Sequence, residues 1–351
     1  VHDPGWNESP EPIQPHDLQT EVLQLLDETR RQGFRRGLVV MATGLGKTVL
    51  AALDCRQMGA KRVLFVAHRQ EILAQAENTF QRVFPNDRIG QFKAQKREID
   101  ADMLFASVQT LGKPEHLKNF SASHFDYIIV DEFHHAAART YQQLLNHFEP
   151  TFLLGLTATP DRTDQADILA LCDNNLVCEQ HLDEGIKRQR LCPFTYRGIS
   201  DDQVDYQAIP WRNGKFDETA LVNQLATQAR ARHVLREWRE HKQERTLAFC
   251  VAQKHADFMA DYFNRQGHRA VSVHTSSDIH RSEALSQLEE GEIDVIFSVD
   301  LFNEGVDVPL IDTVLMLRPT ESKILFLQQL GRGLRTHEGK DRLVILDFIG
   351  N

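Results

Sequence analysis

The stretch MATGLGKT, residues 41–48, decides the fold of this chain. It follows the apolar run Leu38-Val39-Val40-Met41, which reads as a buried strand, and it leads into a helical pattern from Val49 to Met58. Strand, glycine-rich turn and helix form the context that a phosphate-cradling loop requires. Gly44 and Gly46 let the backbone curl so that its N–H groups point inward at phosphate oxygens. The helix that follows offers free N–H groups and the positive end of its dipole to the same anion. Lys47 is expected to reach the β- and γ-phosphates and the Thr48 hydroxyl to bind a metal ion, with Thr43, Leu45 and Val49 completing the loop. Position 41 carries Met where the strict pattern has Gly, but the residues that do the chemistry remain.

A second apolar run, Tyr127-Ile128-Ile129-Val130, ends in Asp131-Glu132 within DEFHH, residues 131–135. At the carboxyl end of a strand, Asp131 is placed to hold magnesium through water. Glu132 is placed to orient or deprotonate an attacking water. Phosphoryl transfer asks a protein mainly to position groups and neutralise charge. Loop and carboxylates together therefore predict the binding and hydrolysis of a nucleoside triphosphate. His134 and His135 do not have the spacing of a helical zinc site; one of them is expected to relay between the carboxylates and neighbouring loops.

The chain has 351 residues, enough for two domains. Hydrophobic residues make up 41%, so most of it should fold around a core. Cys55, Cys172, Cys178, Cys192 and Cys250 form an odd set without a Cys-x-x-Cys pair, which disfavours a disulfide framework or zinc cluster and fits a reducing cytoplasm. No apolar run reaches the length of a membrane span, and no N-terminal signal is visible. The formal charge of −10 opposes adhesion to nucleic acid over the whole surface but leaves room for a local basic groove. Arg30, Arg31, Arg35 and Arg36 cluster before the first strand, and Lys93, Lys96 and Arg97 form a second group; a solvated face is the commoner role for such runs.

Residues 1–16 hold four of the twelve prolines and no Lys or Arg, and read as a flexible lead-in. From Leu18 to Arg31 the apolar spacing is helical. Strands are predicted near 37–42, 62–67, 103–107, 126–130 and 152–156, alternating with helices, which implies a parallel sheet between helical layers. The first domain is thus expected over 17–160 and a connector over 161–218. The second domain, 219–351, opens with a helix over 219–240 and repeats the alternation near 245–251, 270–273, 293–298, 312–317 and 342–348. The chain begins with Val, and flanking domains of a longer protein are expected.

The motifs, taken in order, resemble those of a superfamily 2 helicase or translocase. MATGLGKT is similar to motif I, FVAHRQEIL (65–73) to motif Ia, ASVQTL (106–111) to Ib, DEFHH to II and GLTATP (155–160) to III. In the second half, LAFCVAQKHAD (247–257) resembles motif IV, FSVDLFNEGVDVP (297–309) motif V and QQLGRGLR (328–335) motif VI. The resemblance covers about residues 18–350. DEFHH is closer to the restriction-enzyme and XPB-like branch than to the DEAD-box RNA helicases, and the ending VILDFIGN resembles multidomain bacterial helicases.

The resemblance implies an α/β fold of two tandem RecA-like domains, with ATP and Mg2+ between them. By the same resemblance Arg332 and Arg335 are arginine fingers, a device that contributes about 10³–10⁵ in rate. Gln328 lies near the attacking water, Gln19 reads adenine, and Gly305 and Asp307 approach the nucleotide. Thr157 and Thr159 link hydrolysis to strand movement. Arg69, Gln109 and Thr110, with Gln253 and Thr275 in the second half, match positions that grip a nucleic-acid backbone, and DNA is favoured over RNA. The implied activity is an ATP-dependent helicase or translocase; an ATP-gated nucleic-acid clamp that does not unwind is the alternative.

Overall fold

The computed structural model describes residues 13–94, 96–158, 165–212, 215–299, 308–319 and 333–349. The chain divides into two compact units between His181 and Leu182.

The first unit is built on an eight-stranded sheet in the order β4-β3-β5-β2-β6-β7-β1-β8. Its strands are β1 (Arg36–Met41), β2 (Val63–Ala67), β3 (Ile89–Lys93), β4 (Lys96–Arg97), β5 (Met103–Ser107), β6 (Tyr127–Val130), β7 (Phe152–Thr157) and β8 (Leu176–Gln180). Only the short β3–β4 pair is antiparallel; the remaining pairs are parallel. Both faces of such a sheet are covered, so its central strands are continuous apolar runs. β2, β5, β6 and β7 accordingly have every residue buried. Covering helices include α1 (Asp17–Arg31), α2 (Lys47–Met58), α3 (Gln70–Val83), α4 (Val108–Leu111), α5 (Pro114–Leu117), α6 (Arg139–His147) and α7 (Gln165–Leu171).

Two contacts below the strand ends fix the layers. Asp54 of α2, wholly buried, receives two N–H bonds from the Arg30 guanidinium at 2.7 and 2.9 Å. The Tyr127 hydroxyl of β6 donates to the same carboxylate. A bidentate charge-assisted pair of this kind locks α1, α2 and β6 in one geometry. Higher up, the buried Phe133 ring lies against Gly155 of β7, where an added Cβ would come within 2.8 Å of the ring. A glycine there lets the turn after Glu132 settle onto the sheet.

The second unit carries a six-stranded, wholly parallel sheet in the order β13-β14-β12-β15-β16-β9. Its strands are β9 (Phe194–Ser200), β12 (Thr246–Phe249), β13 (Ala270–Val273), β14 (Val295–Ser298), β15 (Thr313–Met316) and β16 (Leu343–Ile349); β10 (Trp211–Arg212) and β11 (Lys215–Phe216) form a separate hairpin. The helices are α8 (Leu182–Lys187), α9 (Glu218–Leu225), α10 (Gln228–His241), α11 (Gln253–Arg265) and α12 (Arg281–Glu289). A fully buried Arg230 joins four parts of this unit. It donates to Asp201 at 2.8 Å and to the Leu317 carbonyl at 3.2 Å, and lies 3.2 Å from His255 Nε2. Burial, then the Arg230 charge, pushes the His255 imidazole down to about 3, so the ring is neutral.

All ten predicted strands are present. Two features differ from the sequence reading. The expected connector, 161–218, supplies β8 to the edge of the first sheet and β9 to the edge of the second; both are edge strands with polar or exposed residues, which blurs their pattern. The expected helix over 219–240 is two helices, because Thr227 breaks it and caps α10 through a bond from the Arg230 N–H. No helix among the described residues is long and apolar enough to cross a membrane.

Gly155→Ala should lower stability by about 1–3 kcal/mol, the usual cost of overpacking a filled core. Denaturant unfolding would measure it, and an unchanged midpoint would show that Phe133 yields without cost.

Candidate functional site

Because the strands are parallel, the loops that follow β1, β2, β5, β6 and β7 leave the sheet at one edge. Ligands of open α/β sheets bind at that carboxyl edge. The phosphate loop, the two carboxylates, Arg69, Gln109, Thr110 and Thr157 all lie there.

The loop between β1 and α2 takes its shape from Gly44 and Gly46, whose φ angles of +93° and +80° lie in the left-handed region. Gly46 is also the residue before the first turn of α2. Thr43, Gly44, Lys47, Thr48 and Val49 are half-buried and Leu45 is buried. Lys47 Nζ donates to the Met41 carbonyl at 3.1 Å.

Gln19 pins this loop from α1. Its amide nitrogen donates to the Gly46 carbonyl at 3.1 Å, and its amide oxygen accepts from the His16 N–H at 3.1 Å. His16 Nε2 in turn lies 3.2 Å from the Leu45 carbonyl. An added Cβ on Gly46 would meet the Gln19 amide nitrogen at 2.5 Å, so a side chain there would displace the Gln19 amide, and the positive φ favours glycine. Sequence reasoning gave Gln19 to adenine and gave His16 nothing. The capping-box geometry of His16 and Gln19 is the local signal that ties both to the helix start.

Asp131 and Glu132 follow β6. Asp131 is 6% exposed, its N–H donates to the Val66 carbonyl at 3.0 Å, and its Oδ1 accepts from the Glu132 N–H at 2.9 Å. Burial, and then the Glu132 charge, push the Asp131 carboxyl up to about 6, against the pull of Lys47, the Glu132 N–H and His68. Glu132 sits at φ +49°, an uncommon conformation for a residue with a side chain. Its Oε2 is 3.3 Å from His134 Nδ1, and the same nitrogen is 3.2 Å from Thr157 Oγ1. Through this one nitrogen His134 lies beside both Glu132 and the end of β7.

Next to these groups, Gln109 Nε2 donates to the His68 carbonyl at 2.9 Å, and Arg69 Nε donates to His68 Nε2 at 3.3 Å. Ser107 donates to Gln109 Oε1 at 2.9 Å and is 3.5 Å from Thr110 Oγ1. The structure thus brings Arg69, Gln109 and Thr110 into one cluster; beside it stands His68, which the motif reading passed over. In the second unit Gln253 and Thr275 are joined by a 2.9 Å bond. Arg335 is half-buried; its carbonyl accepts from Lys340 at 3.2 Å, and its backbone bridges Leu191. Gly305, Asp307, Gln328, Arg332 and Thr159 lie outside the described residues.

Comparison with known proteins finds relatives over most of the chain. The sequence profile of the type III restriction enzyme res subunit matches residues 12–162, and that of the helicase conserved C-terminal domain matches residues 228–337. The candidate ATP-dependent helicase IRC3 of Saccharomyces cerevisiae is 29% identical over 358 residues, covering 95% of this chain and 51% of IRC3. The DNA 3'-5' translocase XPB2 of the archaeon Sulfurisphaera tokodaii is 25% identical over 351 residues, 89% of this chain and 77% of that protein. A solved fragment of a candidate HsdR subunit of a type I restriction enzyme from Vibrio vulnificus superposes with a TM-score of 0.71 at 26% identity, over 95% of this chain and 65% of the fragment. The chain spans about half the length of IRC3. These relatives come from a yeast, an archaeon and a bacterium, so they do not carry the bacterial origin expected from the sequence. Two family profiles in helicase order, on two parallel sheets with the phosphate loop and DEFHH at one edge, make the chain a member of the superfamily 2 helicases, in the branch of the restriction-enzyme and XPB-like motors.

Proposed function

We propose that the chain is the motor core of an ATP-dependent helicase or translocase acting on DNA. The observation that carries this reading is the shared edge of the first sheet, where Lys47 and the Asp131–Glu132 pair stand beside the Arg69–Gln109–Thr110 cluster. Hydrolytic groups and backbone-gripping groups leave neighbouring parallel strands, so a change at one is felt at the other. DNA is favoured by the DEFHH motif and by the archaeal relative, a DNA translocase by name.

In this reading the N–H groups from Thr43 to Val49 cradle the ATP phosphates, and Lys47 exchanges the Met41 carbonyl for phosphate oxygens. Gln19 keeps one amide hydrogen and one oxygen lone pair beyond its two bonds, which suits the adenine edge. Glu132, steadied by His134, accepts the proton of the attacking water. By the motif resemblance, Gly305, Asp307, Gln328, Arg332 and Arg335 also serve nucleotide use. Arg69, Gln109, Thr110, Gln253 and Thr275 hold phosphates without reading bases, which predicts salt-sensitive, sequence-tolerant binding.

The residues also fit magnesium. Thr48 and Asp131 offer hard oxygen ligands of the kind it prefers, and Asp131 is a buried carboxylate beside a second one, a place where a cation relieves repulsion. When bound, the ion neutralises phosphate charge. The cysteines are all free, which suits a reducing compartment such as the cytoplasm.

Two measurements test the reading. ATP turnover should rise on adding single-stranded or duplex DNA, whereas Glu132→Gln should bind ATP and lose turnover by about 10²-fold or more, and Lys47→Ala should lose nucleotide use. Flat turnover with every polymer, or normal turnover in Glu132→Gln, would overturn it.

The second measurement concerns Asp131 alone. A carboxyl whose folded pKa is raised favours the folded state below its ordinary range and disfavours it as pH rises through about 6. Asp131→Asn should therefore stabilise the nucleotide-free protein at pH 7–8 by about 1–3 kcal/mol, with the gain fading below about pH 4. A destabilised variant at pH 7–8 would contradict it.

A further inference from the structure

We propose that His68 is a positioning residue that couples occupation of the nucleic-acid track to the carboxylate pair; the inference rests on reading the site as a DNA-dependent ATPase. Topology puts His68 at a junction. β2 lies between β5 and β6, with Ala67 level with Ser107 and Val66 level with Val130. The first residue beyond β2 therefore stands between the turn that carries Gln109 and Thr110 and the turn that carries Asp131 and Glu132.

Bonds reach His68 from the track side. Gln109 donates to its carbonyl at 2.9 Å, and Arg69 Nε donates to its ring Nε2 at 3.3 Å. On the other side its ring meets the His135 ring edge-on, with centroids 4.9 Å apart and planes at 78°. His135 lies 4.1 Å from the His134 ring, and His134 Nδ1 is 3.3 Å from Glu132 Oε2. Three imidazoles thus join the groups that grip phosphates to the group that activates water.

The far end of this path is held firmly. The His134 side chain is only 7% exposed and is pinned between Glu132 and Thr157. The near end is exposed to the track: Gln109 and His135 are exposed and Arg69 is half-buried. A phosphate that recruits the Arg69 guanidinium draws it from His68 Nε2, and the ring resettles against His135. The displacement required is small, because misplacing a reacting group by about 1 Å can cost about 10²-fold in rate. Packed side chains with two discrete arrangements are the physical means by which such coupling travels.

The test is steady-state ATP turnover of the whole chain, titrated with oligothymidylate and with duplex DNA, for the wild type, His68→Ala, His68→Phe and His135→Ala. His68→Ala keeps the backbone carbonyl, so the Gln109 bond survives. The expected result is unstimulated turnover within about twofold of wild type, an unchanged KM for ATP, half-saturating DNA within about threefold, and a stimulation factor cut about tenfold. His68→Phe keeps an aromatic edge for His135 but offers Arg69 no ring nitrogen, so it should lose the stimulation factor much as His68→Ala does. His135→Ala should match His68→Ala, and the double variant should lose no more than either single one.

Stimulation equal to wild type in His68→Ala would overturn the inference and leave the motor reading standing. A parallel fall of basal and stimulated turnover would also overturn it, by showing that His68 serves the fold or the hydrolytic step itself. A wild type that no polymer stimulates would overturn the motor reading and the coupling with it.

Discussion

Asp131 and Glu132 are two carboxylates set side by side where burial leaves the first almost without solvent. Such a pair is unfavourable by itself, and burial together with the neighbouring charge raises the Asp131 carboxyl. The surrounding structure over-determines its place. Asp131 is hydrogen-bonded to β2, Phe133 is seated on Gly155 of β7, and His134 is held by Thr157 at the end of the same strand. Glu132 takes a left-handed conformation between them. Strain kept at one turn and offset by the packing around it is the usual mark of a working site.

The phosphate loop is held by a different device. Its curl comes from two glycines, but its position comes from α1, through Gln19 on the Gly46 carbonyl and His16 near the Leu45 carbonyl. α1 is itself fixed by the Arg30–Asp54 pair, which also takes a bond from the β6 hydroxyl of Tyr127. The strand that carries the carboxylates and the helix that follows the phosphate loop therefore share one buried anchor. Relative movement of Lys47 and Asp131 is restricted before any ligand arrives.

The second unit repeats the parallel architecture and solves its own anchoring problem with a buried cation. Arg230 binds Asp201 just beyond β9, the Leu317 carbonyl just beyond β15 and His255 on α11. A buried ion pair of this kind is costly to break from one side, because the partner is left charged in a dry place. The neutral His255 completes the arrangement without adding a second cation.

The sequence by itself determined the central strands of both sheets, because a parallel strand buried on both faces must be a continuous apolar run. It also determined the phosphate loop and the carboxylate turn, whose chemistry needs particular residue types at close spacing. Tertiary structure decided the edges. β3 mixes Gly, Gln and Lys with apolar residues, β8 is only partly covered, and β9 is largely exposed, so none has a pattern legible on its own. The break at Thr227 rests on a single side-chain cap within a helical pattern. Above all, local sequence is silent on which loops meet. His68, Gln109 and His135 are far apart along the chain and adjacent only because β5, β2 and β6 are neighbours in the sheet. Strand order is set by long-range packing, and with it which of these side chains stand together.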